Sequence, residues 1–364
     1  MKATSRSIPS LDGLRAASVA IVIFSHALGF QPGREAKFPF PQLSWLGQSG
    51  VDVFYVISGF LITYLLLKER EAKGTIRLKN FYFRRFFRIF PPFYAYLAVV
   101  IILWSTGMVA QHFRDLIYAA TYTWDYRRNE QDWLLGHIWS LSVEEQFYLL
   151  WPPCLLLLGK KRSTYVALGV ILLSPASRFL SYVLVPSWRG EVGVMLHTRL
   201  DTIMCGCAMA LLWKEERFNQ WADKLLNPFL FAFSVLYIVI LSPCLTTRFG
   251  GRYDWGIGYT LRGLLSSIVL LYVVRKPISL PGRVLNLGFL RHVGVISYSL
   301  YLWQQMFTGP YSFLFPLNVV AIFACAELSY WVVERPSLHS RDLIGERLMK
   351  APAISSRSRE AGVT

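Results

Sequence analysis

The chain has 364 residues, 54% of them hydrophobic and 15% aromatic, and only 16% are charged. That apolar fraction, gathered into many long runs, excludes an ordinary soluble domain and suits a protein that crosses a membrane repeatedly. A net charge of +16 would point to nucleic acid in a soluble protein. Here the basic residues stand between apolar runs, so membrane topology accounts for them and no nucleic-acid partner is expected.

Taken in chain order, ten apolar segments are predicted to cross the lipid bilayer as helices. They lie at roughly 13–30, 46–67, 89–109, 138–158, 164–185, 199–214, 225–245, 256–274, 291–308 and 312–332. The first ends in Ser25-His26-Ala27, which is close to the pattern of a cleaved leader. Arg15 at the start of that run and His26 inside the supposed cleavage site favour an uncleaved span instead. With the N-terminus inside, 26 of the 38 lysines and arginines fall in cytoplasmic segments and 8 in outer loops. The bias predicts an all-α, polytopic membrane protein of about ten transmembrane helices with both termini cytoplasmic. Residues 1–335 read as one membrane-embedded domain, and 336–364 as a polar cytoplasmic tail expected to be mobile. The five cysteines lie in apolar segments, without Cys-x-x-Cys or zinc-like His spacing, so buried free thiols and no metal are expected.

Ionisable side chains inside spans are costly and mark functional sites. Arg15 and His26 are eleven residues apart on the first helix, about 20° past three full turns, so they share a side about 16 Å apart along the axis. Asp52 lies near the outer end of the second span, where Ser58-Gly59 lets that helix approach a neighbour closely. In the basic stretch 68–88, Arg84, Arg85 and Arg88 alternate with aromatic residues. It reads either as an interfacial, positive-inside helix or as an anion site for the phosphates of a nucleotide-like donor.

The fourth span carries Glu144 and Glu145. Glu144 shares a stripe with Phe147, Tyr148 and Trp151. Counting from the helix ends puts it at the depth of His26, where a carboxylate would orient the imidazole as a general base. Glu145, turned about 100° away, reads as a structural or secondary group. Arg199 and Asp201, at the start of the sixth span, either pair with the glutamates or line the same cavity. In the ninth, Ser297, Tyr301 and Gln304 put two hydroxyls and an amide on one face, with Tyr298 beside them. Polar packing between helices explains that pattern equally well.

These residues together resemble the bacterial acyltransferase-3 family of integral membrane carbohydrate O-acyltransferases. The resemblance rests on "IPSLDGLRAASVAIVIFSH", "GVDVFYVISGFLIT", "FYFRRFFRIFPPFY", "HIWSLSVEEQFYLLWP", "RLDTIMCGCAMA" and "ISYSLYLWQ", in family order over about residues 8–336. It implies a ten-helix bundle in the bacterial cytoplasmic (inner) membrane and no permanently bound cofactor. The co-substrate is acetyl-CoA or another acyl-CoA on the cytoplasmic side, and the acceptor is a hydroxyl of a surface or secreted polysaccharide or glycolipid. It also implies that His26 and Glu144 are essential.

On that basis Arg85 and Arg88, with Arg84, are expected to hold the CoA phosphates while the pantetheine arm passes Arg15. Ser297, Tyr298 or Tyr301 is expected to donate to the oxyanion. Glu145, Asp52, Arg199 and Asp201 stand as substrate-side or supporting groups. Many members have His where this chain has Gln304, which leaves the role of that position in doubt. Some members carry a further hydrolase-like domain, for which these 364 residues leave no room. Two other readings are a carrier for a glycan or acyl-linked precursor, and an acyltransferase acting on a small glycosylated metabolite. Inverted repeats would favour the carrier, and none is visible.

Overall fold

The computed structural model describes residues 8, 10–29, 42–128, 132–309 and 315–350, and every regular element among them is a helix. α1 (Leu11–Gly29) opens with Asp12 in its first turn, where the helix dipole favours an acid. α2 (Gln42–Lys73) and α3 (Leu78–Ser105) follow. The short α4 (Phe113–Ala120) lies in the loop leading to α5 (Ile138–Leu184). Next come α6 (Leu196–Leu212), the short α7 (Glu216–Leu225), α8 (Pro228–Phe249) and α9 (Gly251–Arg275). A broken stretch is built from α10 (Leu280–Leu285), α11 (Gly288–Val295) and α12 (Ser297–Trp303). α13 (Leu317–Ser329) passes through a π-helical turn, Tyr330–Glu334, into α14 (Arg335–Lys350).

Each of the ten predicted segments overlaps helix among the described residues; residue 30 and residues 312–314 lie outside them. Among the described residues, six helices are long and apolar enough to cross a membrane by length and composition, which makes this a multi-pass membrane protein. The fourth and fifth predicted segments share α5. As one rod its 47 residues would reach about 70 Å, more than twice the apolar thickness of a bilayer. Gly159 breaks it, with a positive φ of 71° that glycine adopts without strain. The basic run Lys160, Lys161 and Arg162 follows directly.

α2 and α6 cross at very short range. A Cβ on Gly59 would stand 2.0 Å from the Ile203 carbonyl oxygen, and one on Gly206 would stand 2.1 Å from that of Val56. The close approach expected at Ser58-Gly59 is therefore made, with α6 as the neighbour. Around the bundle, Leu157, Leu172 and Phe229 point outward, 80%, 76% and 86% exposed, an apolar surface suited to lipid. Two expectations change. The first half of the expected tail is helix, packed on α3 by the Ser337 hydroxyl donating to the Phe87 carbonyl at 2.6 Å. Residues 351–364 lie outside the described residues. All five thiols are free, but only Cys205 and Cys207 are buried, and Cys244 is exposed on the apolar outer face.

Candidate active site

Five helices surround a cavity of about 730 Å³, counting space open to solvent. α2 lines it with Val51, Phe54, Tyr55 and Ser58, a stripe at i, i+3, i+4 and i+7. α5 contributes Ser140, Glu144, Glu145 and Tyr148. α12 contributes Ser297, Tyr298 and Tyr301. Arg15 from α1 and Arg85 and Arg88 from α3 complete the wall.

A carboxylate inside a membrane protein must be compensated. Glu144 Oε1 accepts hydrogen bonds from the Ser58 and Tyr148 hydroxyls. The Arg85 guanidinium stands 4.6 Å from the centre of the Tyr148 ring, close enough for a cation–π contact. The predicted aromatic stripe therefore divides. Tyr148 serves the carboxylate, while Phe147 and Trp151 are buried in the core, with Trp151 Nε1 donating to Thr63 Oγ1 at 2.8 Å. Glu145, expected to point elsewhere, lines the same cavity, because the wall is wider than one helical stripe. Beyond Glu144 lies a layer of hydroxyls. Tyr55 donates to the Ser140 carbonyl at 3.1 Å, and the Ser140 and Tyr301 hydroxyls pair with each other. Tyr298 donates to the Ile89 carbonyl at 3.1 Å.

The expected pairing of His26 with Glu144 is not formed. His26 Nδ1 meets Gln304 Oε1 at 2.8 Å, and its ring packs edge-on to Trp133 at 5.7 Å. The depth count failed because it set the end of α1 and the start of α5 at one level. Gln305, next to Gln304, accepts from His137 N at 2.8 Å, so the His26 level is that of His137. Glu144 is seven residues farther along α5, about 10 Å inward. An amide oxygen facing Nδ1 keeps the ring proton there and leaves the Nε2 lone pair for proton abstraction. Gln304, the position left in doubt, is thus the group that orients His26. The signal was present in the sequence: Gln304-Gln305 is a pair of amides in an apolar segment, and each needs a partner.

Asp52, Arg199 and Asp201 do not meet the glutamates and do not line this cavity. Arg199 pairs with Asp52, whose second oxygen accepts from Arg262 Nε at 2.6 Å; Arg262 also reaches Asp254 at 2.8 Å. Asp201 pairs with Arg178 at 2.9 Å and accepts from Thr260 at 2.5 Å. Three arginines and three aspartates balance, and they tie α2, α5, α6 and α9 together as a structural network.

A second cavity, of about 700 Å³ with open space included, lies against the first and shares Arg15, Arg85 and Arg88 with it. Arg84 and Arg341 also line it. Arg84 is 3.6 Å from Glu69, and Arg15 is 3.1 Å from Asp12. Planar guanidiniums converging on one space suit phosphate groups. Among the described residues, no cluster of three or more His, Cys, Asp or Glu side chains is placed to hold a metal ion.

A family model described as an acyltransferase domain matches residues 8–333. The peptidoglycan O-acetyltransferase OatA of Listeria monocytogenes is 30% identical, over 92% of this chain and 57% of its own length. The O-acetyltransferase OatA of Staphylococcus aureus is 28% identical, over 91% of this chain and 57% of its own. The chain thus spans a little over half the length of these curated relatives. No solved structure matches it.

Proposed function

The chain belongs to the acyltransferase-3 family, and on that premise we propose that it moves an acetyl group from cytoplasmic acetyl-CoA to a carbohydrate hydroxyl across the membrane. One observation carries this reading. An arginine-walled cavity adjoins a polar pocket that reaches Tyr301, one turn short of the His26–Gln304 pair. Arg85 and Arg88 hold the phosphates of the donor. Arg15 borders the path of the pantetheine arm, and Glu144 fixes the Ser58 and Tyr148 hydroxyls along it.

His26 Nε2 takes the proton of the sugar hydroxyl, and the oxygen bonds to the thioester carbonyl carbon. The carbon–sulfur bond breaks, and the imidazolium returns the proton to the departing CoA thiolate. A hydroxyl from Ser297, Tyr298 or Tyr301 supports the developing oxyanion. Ten crossings of the inner membrane with both termini cytoplasmic would give the donor access from inside. The printed names of the relatives make peptidoglycan sugars the first acceptor to test.

The test uses the purified full chain in detergent with labelled acetyl-CoA and soluble peptidoglycan fragments. Glycan-dependent CoA release and labelled glycan are expected. His26→Ala should cut the rate by about 10²–10⁴ while leaving CoA binding intact. Wild-type transfer in that variant would remove His26 from the mechanism. CoA release that never depends on a glycan would reject carbohydrate as acceptor.

A further inference from the structure

Arg341 comes from outside the matched domain, which ends at residue 333, yet it lines the inner cavity with Arg15, Arg84, Arg85 and Arg88. Among the described residues, no acidic side chain lines that cavity. Carboxylates stand behind three of the arginines: Asp12 on Arg15, Glu69 on Arg84 and Asp342 on Arg341. A guanidinium has five donor hydrogens, so one carboxylate does not exhaust it. The position of α14 is held. Ser337 donates to the Phe87 carbonyl, and the Arg335 guanidinium lies 4.2 Å from the Trp331 ring centre. Arg341 is four residues after Ser337 and so shares its face, toward α3.

The charges of acyl-CoA lie at two levels. The diphosphate joins the pantetheine arm, and the 3′-phosphate sits on the ribose, farther from the thioester. With the thioester at the His26 level and the pantetheine arm running through the Glu144 cavity, the shared arginines are positioned for the diphosphate. The more distant anion then falls to the two arginines that line the inner cavity alone, Arg84 and Arg341. We propose that Arg341 is a specificity-determining residue of the donor site that binds the 3′-phosphate of acyl-CoA. The inference rests on reading the inner cavity as the acyl-CoA site.

Titration calorimetry of the detergent-purified full chain with CoA and with 3′-dephospho-CoA tests it. Wild type should bind CoA more tightly than dephospho-CoA. Arg341→Ala should raise the Kd for CoA about fivefold to tenfold, the scale of one charge-assisted hydrogen bond at a partly exposed site, and leave that for dephospho-CoA unchanged. Arg341→Lys should recover part of the loss. Unchanged CoA affinity in Arg341→Ala, or equal weakening of both ligands, overturns the assignment. A wild-type chain that binds neither ligand refutes the donor-site reading itself.

Discussion

Gln304 is fully buried and does for His26 what a carboxylate would do, without adding a charge to a low-dielectric interior. Its amide fixes the ring and its tautomer, so it acts through His26. Gln304→Ala should lower kcat about 10- to 100-fold, less than loss of the base itself, with the KM for acetyl-CoA unchanged. Gln304→Glu, which keeps an acceptor oxygen, should retain more activity. Steady-state kinetics on both variants decide this, and a rise in KM without a fall in kcat would point to packing alone. Asp125, in the loop before α5, is buried and accepts from Gln146 Nε2 at 2.7 Å and Leu196 N at 3.2 Å. Burial pushes its carboxyl up to about 6. In the unfolded chain it titrates near 3.9, so the native state holds the proton more tightly between those values. The stabilisation is full below about pH 4 and is lost as pH rises through about 6. Thermal unfolding in detergent should therefore come at a higher temperature at pH 5 than at pH 7. Asp125→Asn should flatten that difference, and an unchanged slope would exclude Asp125 as its source.

Helix contacts determine which of these side chains meet. The Gly59–Gly206 crossing brings α6 against α2, one residue from Ser58, which holds Glu144. Gly206→Ala would drive a methyl to 2.1 Å from the Val56 carbonyl, and the helices must part. A loss of about 1–3 kcal/mol is expected, read as a lower melting temperature in detergent. Wild-type melting would contradict so close a crossing. Asp52, shared between Arg199 and Arg262, bonds the same helices from within. Removing one member of such a buried pair typically costs about 3–5 kcal/mol, so losses of activity at Asp52 report on the scaffold.

The whole molecule sets an arginine-rich end against a level that carries His26, and orientation in the membrane decides which substrate comes from which side. In a background without reactive thiols, Ser187→Cys in the loop between α5 and α6 should react with a membrane-impermeant maleimide on intact cells. Lys224→Cys on α7 should react only after the membrane is opened. The reverse pattern would invert the proposed topology. Much of this was legible in the residues themselves. Apolar runs of span length located the long helices, because they follow from the cost of moving peptide into hydrocarbon, while the shorter polar helices and α14 escaped that signal. The polar residues on those spans marked the site, for the same reason. Their partners were not legible. His26 finds Gln304 across 278 residues, Asp52 finds Arg262 across 210, and Glu144 finds Ser58 across 86. Helical periodicity gives the direction of a side chain around its own axis. The rotation and axial offset of each helix against its neighbours come from packing, such as the glycine crossing of α2 and α6. Only the tertiary structure could decide that Gln304 orients His26, that Arg199 belongs to the scaffold, and that Arg341 reaches the arginine-lined cavity.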